Sequence, residues 1–241
     1  MARIPKFFAD YAERRGFVTR VDAVETVGEG LLRIGFAGEG LRAVQPGPCD
    51  VTAFRIAAND FRHYTPETLD PAAGRATVLF HRHGQPDAPG LAMVQALAPG
   101  DAVTWCGLAS ARGFRWDAPR RVLALGDAST AGLLVSLTDR AHADGAELLA
   151  VIEVEEPDRA AVAELLPGAV VLAAGPRPGD AAAGWLADAG EAVKRLAPDT
   201  VYLAGHGQSV QAQRDLLRTV HGLDRRTIRT QPYWATGRTG L

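Results

Sequence analysis

Apolar positions follow two rhythms along the chain, and the change falls near residue 118. Before it, short apolar stretches are broken by turns. Thr19–Val27 and Leu31–Ala37 flank Gly28 and Gly30, the spacing of a hairpin. Val51–Ala57, Ala76–Arg82 and Asp101–Cys106 are further strand candidates. Pro46-Gly47-Pro48, Pro71–Gly74 and Pro99-Gly100-Asp101 supply the turn chemistry between them. Closely spaced short strands predict an antiparallel barrel or sandwich.

After residue 118 the segments alternate. Arg121–Leu125 is an apolar run, and Ala128–Asp144 has helical length and period. Glu147–Val154 is β-rich, Ala160–Leu166 a short helix and Ala169–Ala174 a strand. Asp180–Leu196 reads as one helix, Thr200–Ala204 as a strand and Ser209–Val220 as a helix. Strand followed by helix, repeated, predicts a parallel sheet with crossover helices. Its strands are near-continuously apolar, as strands buried on both faces are. The expected organisation is therefore a β-barrel domain over residues 1–117 and an α/β domain with a carboxy-terminal tail over 118–241.

Composition narrows the classes. The formal charge of −2 (26 Lys and Arg against 28 Asp and Glu) argues against nucleic acid as a partner. The two cysteines, Cys49 and Cys106, are far apart and form no CxxC, so no thiolate metal cluster is expected and a reducing compartment fits. No run approaches about 18 apolar residues, so no membrane span is predicted. The opening MARIPKFFADYAERRGF lacks an apolar secretory core, and Arg14 and Arg15 alone do not make a polybasic segment. The expectation is a cytoplasmic monomer.

Three segments carry chemistry. In Phe61–Glu67, Arg62 and Tyr64 share one face of a strand. A guanidinium there forks onto phosphate, and a phenol beside it packs on a flat ring. Pro66 cannot donate to a ladder, so the strand ends at Thr65, whose hydroxyl or N–H is placed to reach a ring nitrogen. Such a set suits FAD, and equally an edge strand with a surface Arg–Tyr pair. Gly126 ends an apolar run before Asp127-Ala128-Ser129-Thr130, where Ser129 or Thr130 caps a helix whose start can take phosphate. His81 and His83, two apart on a strand, share a face that could bind a metal, but no Cys or carboxylate lies close in sequence to complete a site, so a cofactor-adjacent or structural role is expected. Glu153, Glu155 and Glu156 follow the second apolar strand, where an acid favours a ribose hydroxyl and so NADH, while Arg159 argues for NADPH.

Taken together and in order, these segments resemble the siderophore-interacting protein family, FAD-dependent ferric-siderophore reductases of ferredoxin-reductase type. RHYTPETLD (Arg62 to Asp70) is similar to the family's R-x-Y-T-P-R-x-x-D, and VLFHRHG (Val78 to Gly84) to its His-ended strand. LALGDAST (Leu123 to Thr130) resembles its nucleotide loop, YLAGHGQSVQAQRDLL (Tyr202 to Leu217) its Ala-Gly-Glu segment and PYWATG (Pro232 to Gly237) its carboxy-terminal Tyr-Trp-x-x-Gly. The resemblance implies FAD contacts at Arg62, His63, Tyr64 and Thr65, with Thr65 beside the reacting ring. It puts His81 and His83 nearby, and places Gly90, Leu91 and Ala92 at the pyrophosphate. NADPH or NADH would meet Asp127, Ser129, Thr130, Gly205, His206 and Trp234. The substrate implied is a ferric siderophore, and Arg225, Arg226 and Arg229 are candidates for its charge. The chain departs from the family pattern at Ala128 and His206, where the family has Glu. A flavin- or siderophore-binding protein without nicotinamide chemistry, or a flavin reductase with another acceptor, are the rival expectations.

Overall fold

A computed structural model describes residues 5–82 and 89–237. Contacts gather into two units, Met1–Ala111 and Arg112–Leu241. The first opens with helix α1 (Lys6–Arg15), then β1 (Phe17–Thr26), β2 (Leu31–Ala37), β3 (Thr52–Ala57), β4 (Asp60–Tyr64), β5 (Pro66–Asp70) and β6 (Arg75–His81). Helix α2 (Pro89–Ala96) and β7 (Ala102–Trp105) complete it. Five strands pair antiparallel in the order β5-β6-β2-β1-β7, and β3 pairs with β4 as a separate ribbon. Cys106 N donates to Ala53 O at 3.0 Å, and Val51 bridges Ala109, so the ribbon is tied to the β7 side. The expected barrel is thus a sheet and a ribbon around one core.

Alternation drives that core. In β2 every second residue from Leu32 to Phe36 is buried, and Ile34, Phe36, Phe54, Val78, Phe80 and Trp105 meet inside. Pro66 lacks an N–H, and the chain changes partners there: β4 pairs with β3, whereas β5 pairs with β6. Arg33 reaches across β6 to Glu67 with two bonds of 2.7 Å, and Thr77 Oγ1 donates to the same carboxylate at 2.9 Å. Removing one partner of so buried a pair costs about 3 kcal/mol or more.

The second unit runs β8 (Arg121–Asp127), α3 (Ala131–Asp144), β9 (Glu147–Val154), α4 (Arg159–Leu165), β10 (Val170–Ala173), α5 (Asp180–Asp188), α6 (Gly190–Leu196), β11 (Thr200–His206), α7 (Gly207–Thr219) and β12 (Ile228–Trp234). All five strands are parallel, in the order β10-β9-β8-β11-β12. Every residue of β11 and most of β8 are buried, which explains their unbroken apolar runs. The strand order reverses between β8 and β11. Ligands of open α/β sheets sit beyond the carboxyl ends of strands at such a point.

Two expectations are corrected. Asp180–Leu196 is not one helix: Ala189 leaves helical geometry (φ −81°, ψ 18°) ahead of Gly190, a poor helix former, and α5 and α6 result. Residues 228–234 are not a tail but the fifth strand. Pro232 is tolerated because β12 is an edge, and the pairing slips between Gly205 and His206.

Candidate functional site

In the first unit, Arg62 and Tyr64 do share a face. Both lie against the first turn of α2, where a Cβ built on Gly90 would stand 3.2 Å from Arg62 Cγ and 3.2 Å from Tyr64 Oη. The bare Gly90 lets the helix start approach strand β4 this closely. Arg62 Nη1 is held by Asp60 Oδ1 at 2.6 Å and by the Phe61 carbonyl at 2.9 Å. The Tyr64 ring packs edge-on to Phe80 (4.6 Å) and beside Phe54 (5.5 Å). Burial pushes its phenol up to about 12, so it stays neutral at ordinary pH.

The other expected residues of this unit are spread around that junction. Thr65 is buried where β4 gives way to β5, and His63 is exposed. Leu91 is buried in α2, Ala92 is exposed, and Met93 packs on the main core. His81 ends β6 opposite Leu31, and His83 lies outside the described residues. No cluster of three or more His, Cys, Asp or Glu able to hold a metal occurs among the described residues.

In the second unit, the carboxyl ends of β8, β11 and β12 converge on Asp127. Its Oδ1 accepts from Ser129 N (3.0 Å) and Ser129 Oγ (2.5 Å); its Oδ2 accepts from His206 N (2.7 Å) and Trp234 Nε1 (3.0 Å). Asp127 rather than Ser129 or Thr130 therefore caps the turn into α3. Thr130 is buried and gives its hydroxyl to the Asp127 carbonyl at 2.7 Å. Gly205 makes room for the carboxylate: at φ +107° a Cβ would stand 2.3 Å from Asp127 Oδ2.

His206 is buried and packs against the Trp234 indole at 4.4 Å. Its Nδ1 lies 2.6 Å from Ser209 Oγ, which itself donates to Pro178 O at 2.6 Å. Its Nε2 lies 3.0 Å from Thr236 Oγ1 and accepts from Thr236 N at 3.3 Å. Burial holds the imidazole below its ordinary value, although Asp127 and Glu153 pull the other way. Behind this lies a water-sized cavity of about 10 Å³, lined in part by Asp127, Glu153, His206 and Gln213. Gln213 Oε1 is buried and without a protein partner among the described residues. The chain's own last strand thus covers the mouth at the switch point.

Two sequence expectations fail here. Glu153 does not face a ribose: it is buried and accepts from Gly179 N (2.8 Å) and Ala182 N (2.9 Å), capping α5. Arg229 is not free for an anionic chelate, because it binds the Arg115 carbonyl and Asp117 Oδ2 and lies over the Tyr202 ring. Ser209 and Thr236, both in contact with His206, were not singled out from the sequence. Ser209 does follow His206 by three residues, the spacing of one helical turn.

The comparisons with known proteins agree with the resemblance. The family model for siderophore-interacting proteins matches residues 119–237. No curated protein matches the sequence. The siderophore-interacting protein from Acinetobacter baumannii shares the fold with a TM-score of 0.74, 16% identity and 92% of each chain covered. SipS from Aeromonas hydrophila, also a siderophore-interacting protein, gives 0.70 at 17% identity, covering 92% of this chain and 98% of its own. The flavohem-like FAD/NAD binding domain of nitric oxide dioxygenase from Vibrio cholerae gives 0.68 at 13% identity, over 91% and 99%.

Proposed function

With its second half in the siderophore-interacting protein family and its fold that of FAD/NAD binding domains, we propose that the protein is a flavin-dependent reductase of ferric siderophores that draws electrons from NADPH or NADH. The observation that carries the reading is the meeting of Arg62, Tyr64 and the α2 start at Gly90. A guanidinium and the N–H groups of a helix start are what a pyrophosphate needs, and a neutral, ring-packed phenol is what a flat ring needs. The residues present therefore fit FAD. Bound there, FAD would supply two-electron acceptance from a nicotinamide and one-electron donation to Fe(III).

The chain's own residues do the rest. Arg62 and the first turn of α2 hold negative charge; Tyr64 offers a packing surface that does not ionise; Thr65 supplies a hydrogen bond beside the ring. Asp127, Ser129, Thr130, Gly205 and His206 form the mouth for the nicotinamide nucleotide, and Trp234 lies over it as a cover. Iron leaves after reduction because Fe(II) matches hard oxygen ligands less well than Fe(III). In this reading the protein works in the cytoplasm, as a monomer, on a small-molecule chelate.

A second reading, a flavin- or siderophore-binding protein without nicotinamide chemistry, is favoured by one feature. The Asp127 carboxylate is filled by four donors and covered by Trp234. Absorbance spectroscopy separates the two. The purified protein with FAD should show a flavin spectrum that bleaches anaerobically with NADPH or NADH. Adding a ferric siderophore should restore the colour and yield Fe(II), trapped by a chromogenic chelator. A flavin spectrum that no nicotinamide bleaches would support the second reading, and failure to take up FAD would end both flavin readings.

A further inference from the structure

Four of the seven exposed large hydrophobic side chains among the described residues fall between positions 7 and 18: Phe7 (68% exposed), Phe8 (58%), Tyr11 (49%) and Val18 (59%). Apolar side chains on a soluble surface are normally scattered singly, so a cluster of this kind marks a contact surface. Positions 7, 8, 11, 14 and 15 recur at helical spacing and share one side of α1. The other side is seated: Ala9 is fully buried and, with Ala12, packs against Ala53 and Phe61.

The charges of α1 are sorted in the same way. Both acids turn to one inward cation, with Asp10 Oδ1 2.8 Å from Arg55 Nη2 and Glu13 paired to Arg55 Nη1. Lys6, Arg14 and Arg15 are exposed. Lys6 reaches Asp10 at 3.3 Å. Arg15 donates to Tyr11 Oη at 2.8 Å and lies over its ring, and Phe7 and Phe8 meet edge to face at 5.7 Å. The outward side therefore offers three aromatic rings and two cations, Arg14 and Arg15, while Lys6 lies on the side of Asp10, on a chain of net charge −2. Rings that enter a headgroup layer and cations that remain at its anionic surface are the marks of a helix lying in a membrane interface.

We propose that this face of α1 seats the protein reversibly on an anionic lipid surface. The inference is independent of the flavin reading, since it uses none of the residues assigned to FAD or nicotinamide. The sign of the face selects the partner: a neutral bilayer offers the rings a layer to enter but nothing for Arg14 and Arg15. One short helix gives weak, salt-sensitive attachment rather than stable anchoring.

Flotation of the full chain with vesicles tests this. It should float with phosphatidylcholine vesicles containing phosphatidylglycerol, and not with phosphatidylcholine alone. About 1 M salt, where the Debye length is about 3 Å, should release it. Phe7→Ser with Phe8→Ser should weaken binding about tenfold or more without moving Tm, because neither ring is in the core. Arg14→Gln with Arg15→Gln should weaken it to a similar degree. No flotation with the anionic vesicles, equal flotation with neutral ones, or unchanged binding by both double variants would overturn the proposal. So would a dimer in sedimentation that the Phe7→Ser and Phe8→Ser pair dissociates, with no lipid bound, since a second copy would then be the occupant.

Discussion

The indole Nε1 of Trp234 donates to Asp127 Oδ2 at 3.0 Å, and this bond joins the last strand of the parallel sheet to its first. Trp234→Phe keeps a ring over His206 but deletes the donor. The expected loss is about 1 kcal/mol, seen as a lower denaturant midpoint at unchanged slope. Trp234→Ala removes the cover as well and should strengthen nicotinamide nucleotide binding, followed by quenching of NADPH fluorescence. Weaker binding would mean that the strand supports the mouth instead of closing it.

Arg62 makes its protein hydrogen bonds only to its own strand neighbours, Asp60 and the Phe61 carbonyl, among the described residues. Arg62→Ala should therefore leave the fold intact while weakening FAD retention about tenfold or more. The ratio of flavin to protein absorbance after gel filtration reports it. Arg62→Lys, a point charge without the fork, should recover part of the loss.

Gly205 is set by two constraints at once, a φ of +107° and the Asp127 carboxylate 2.3 Å from where a Cβ would be. Gly205→Ala should cost about 3 kcal/mol or more. Equilibrium unfolding measures the loss, and a near-neutral result would mean that Asp127 can swing away cheaply.

Glu153 caps α5 from inside the protein. Glu153→Gln swaps an acceptor for a donor against one of two backbone N–H groups, and should cost about 2 kcal/mol. In a protein that uses nicotinamides, it should leave the ratio of kcat/KM for NADH and NADPH unchanged. A large shift in that ratio would restore the ribose role that burial rules against.

The imidazole of His206 is held neutral by burial, so its value in the fold is lower than in the unfolded chain. The unfolded chain then binds the extra proton first. Stability from this group is complete above the unfolded value of about 6.5 and falls as pH drops through the lower folded one. A protonated ring also has no lone pair to accept from Thr236 N. Tm should decline as the pH is lowered below about 6.5, and His206→Gln should flatten that decline.

The alternation of strand and helix after residue 118 was legible because β8 and β11 are buried on both faces and carry no polar interruption. The strand at residues 228–234 was not, since Arg229, Thr230, Gln231 and Pro232 give it the polarity of an edge. Helix α1 escaped for the opposite reason: its apolar period points outward, and its inward face is made of two alanines and two acids bound to Arg55. At the candidate site, Arg62 and Tyr64 were legible because two-residue spacing fixes a shared face. The capping by Glu153 was not, because its partners lie 26 and 29 residues away. An acid at a strand end looks the same in sequence whether it meets a sugar or a buried helix.

A hydroxyl has one hydrogen to give, and Ser209 gives its own to the carbonyl of Pro178. The imidazole facing Ser209 Oγ at 2.6 Å must therefore be the donor there. That choice leaves Nε2 as a bare lone pair toward Thr236. A loop carbonyl on the approach to α5 thus decides the proton inventory of a ring on the far side of a serine. Nitrogen NMR should see His206 as the Nδ1–H tautomer at neutral pH.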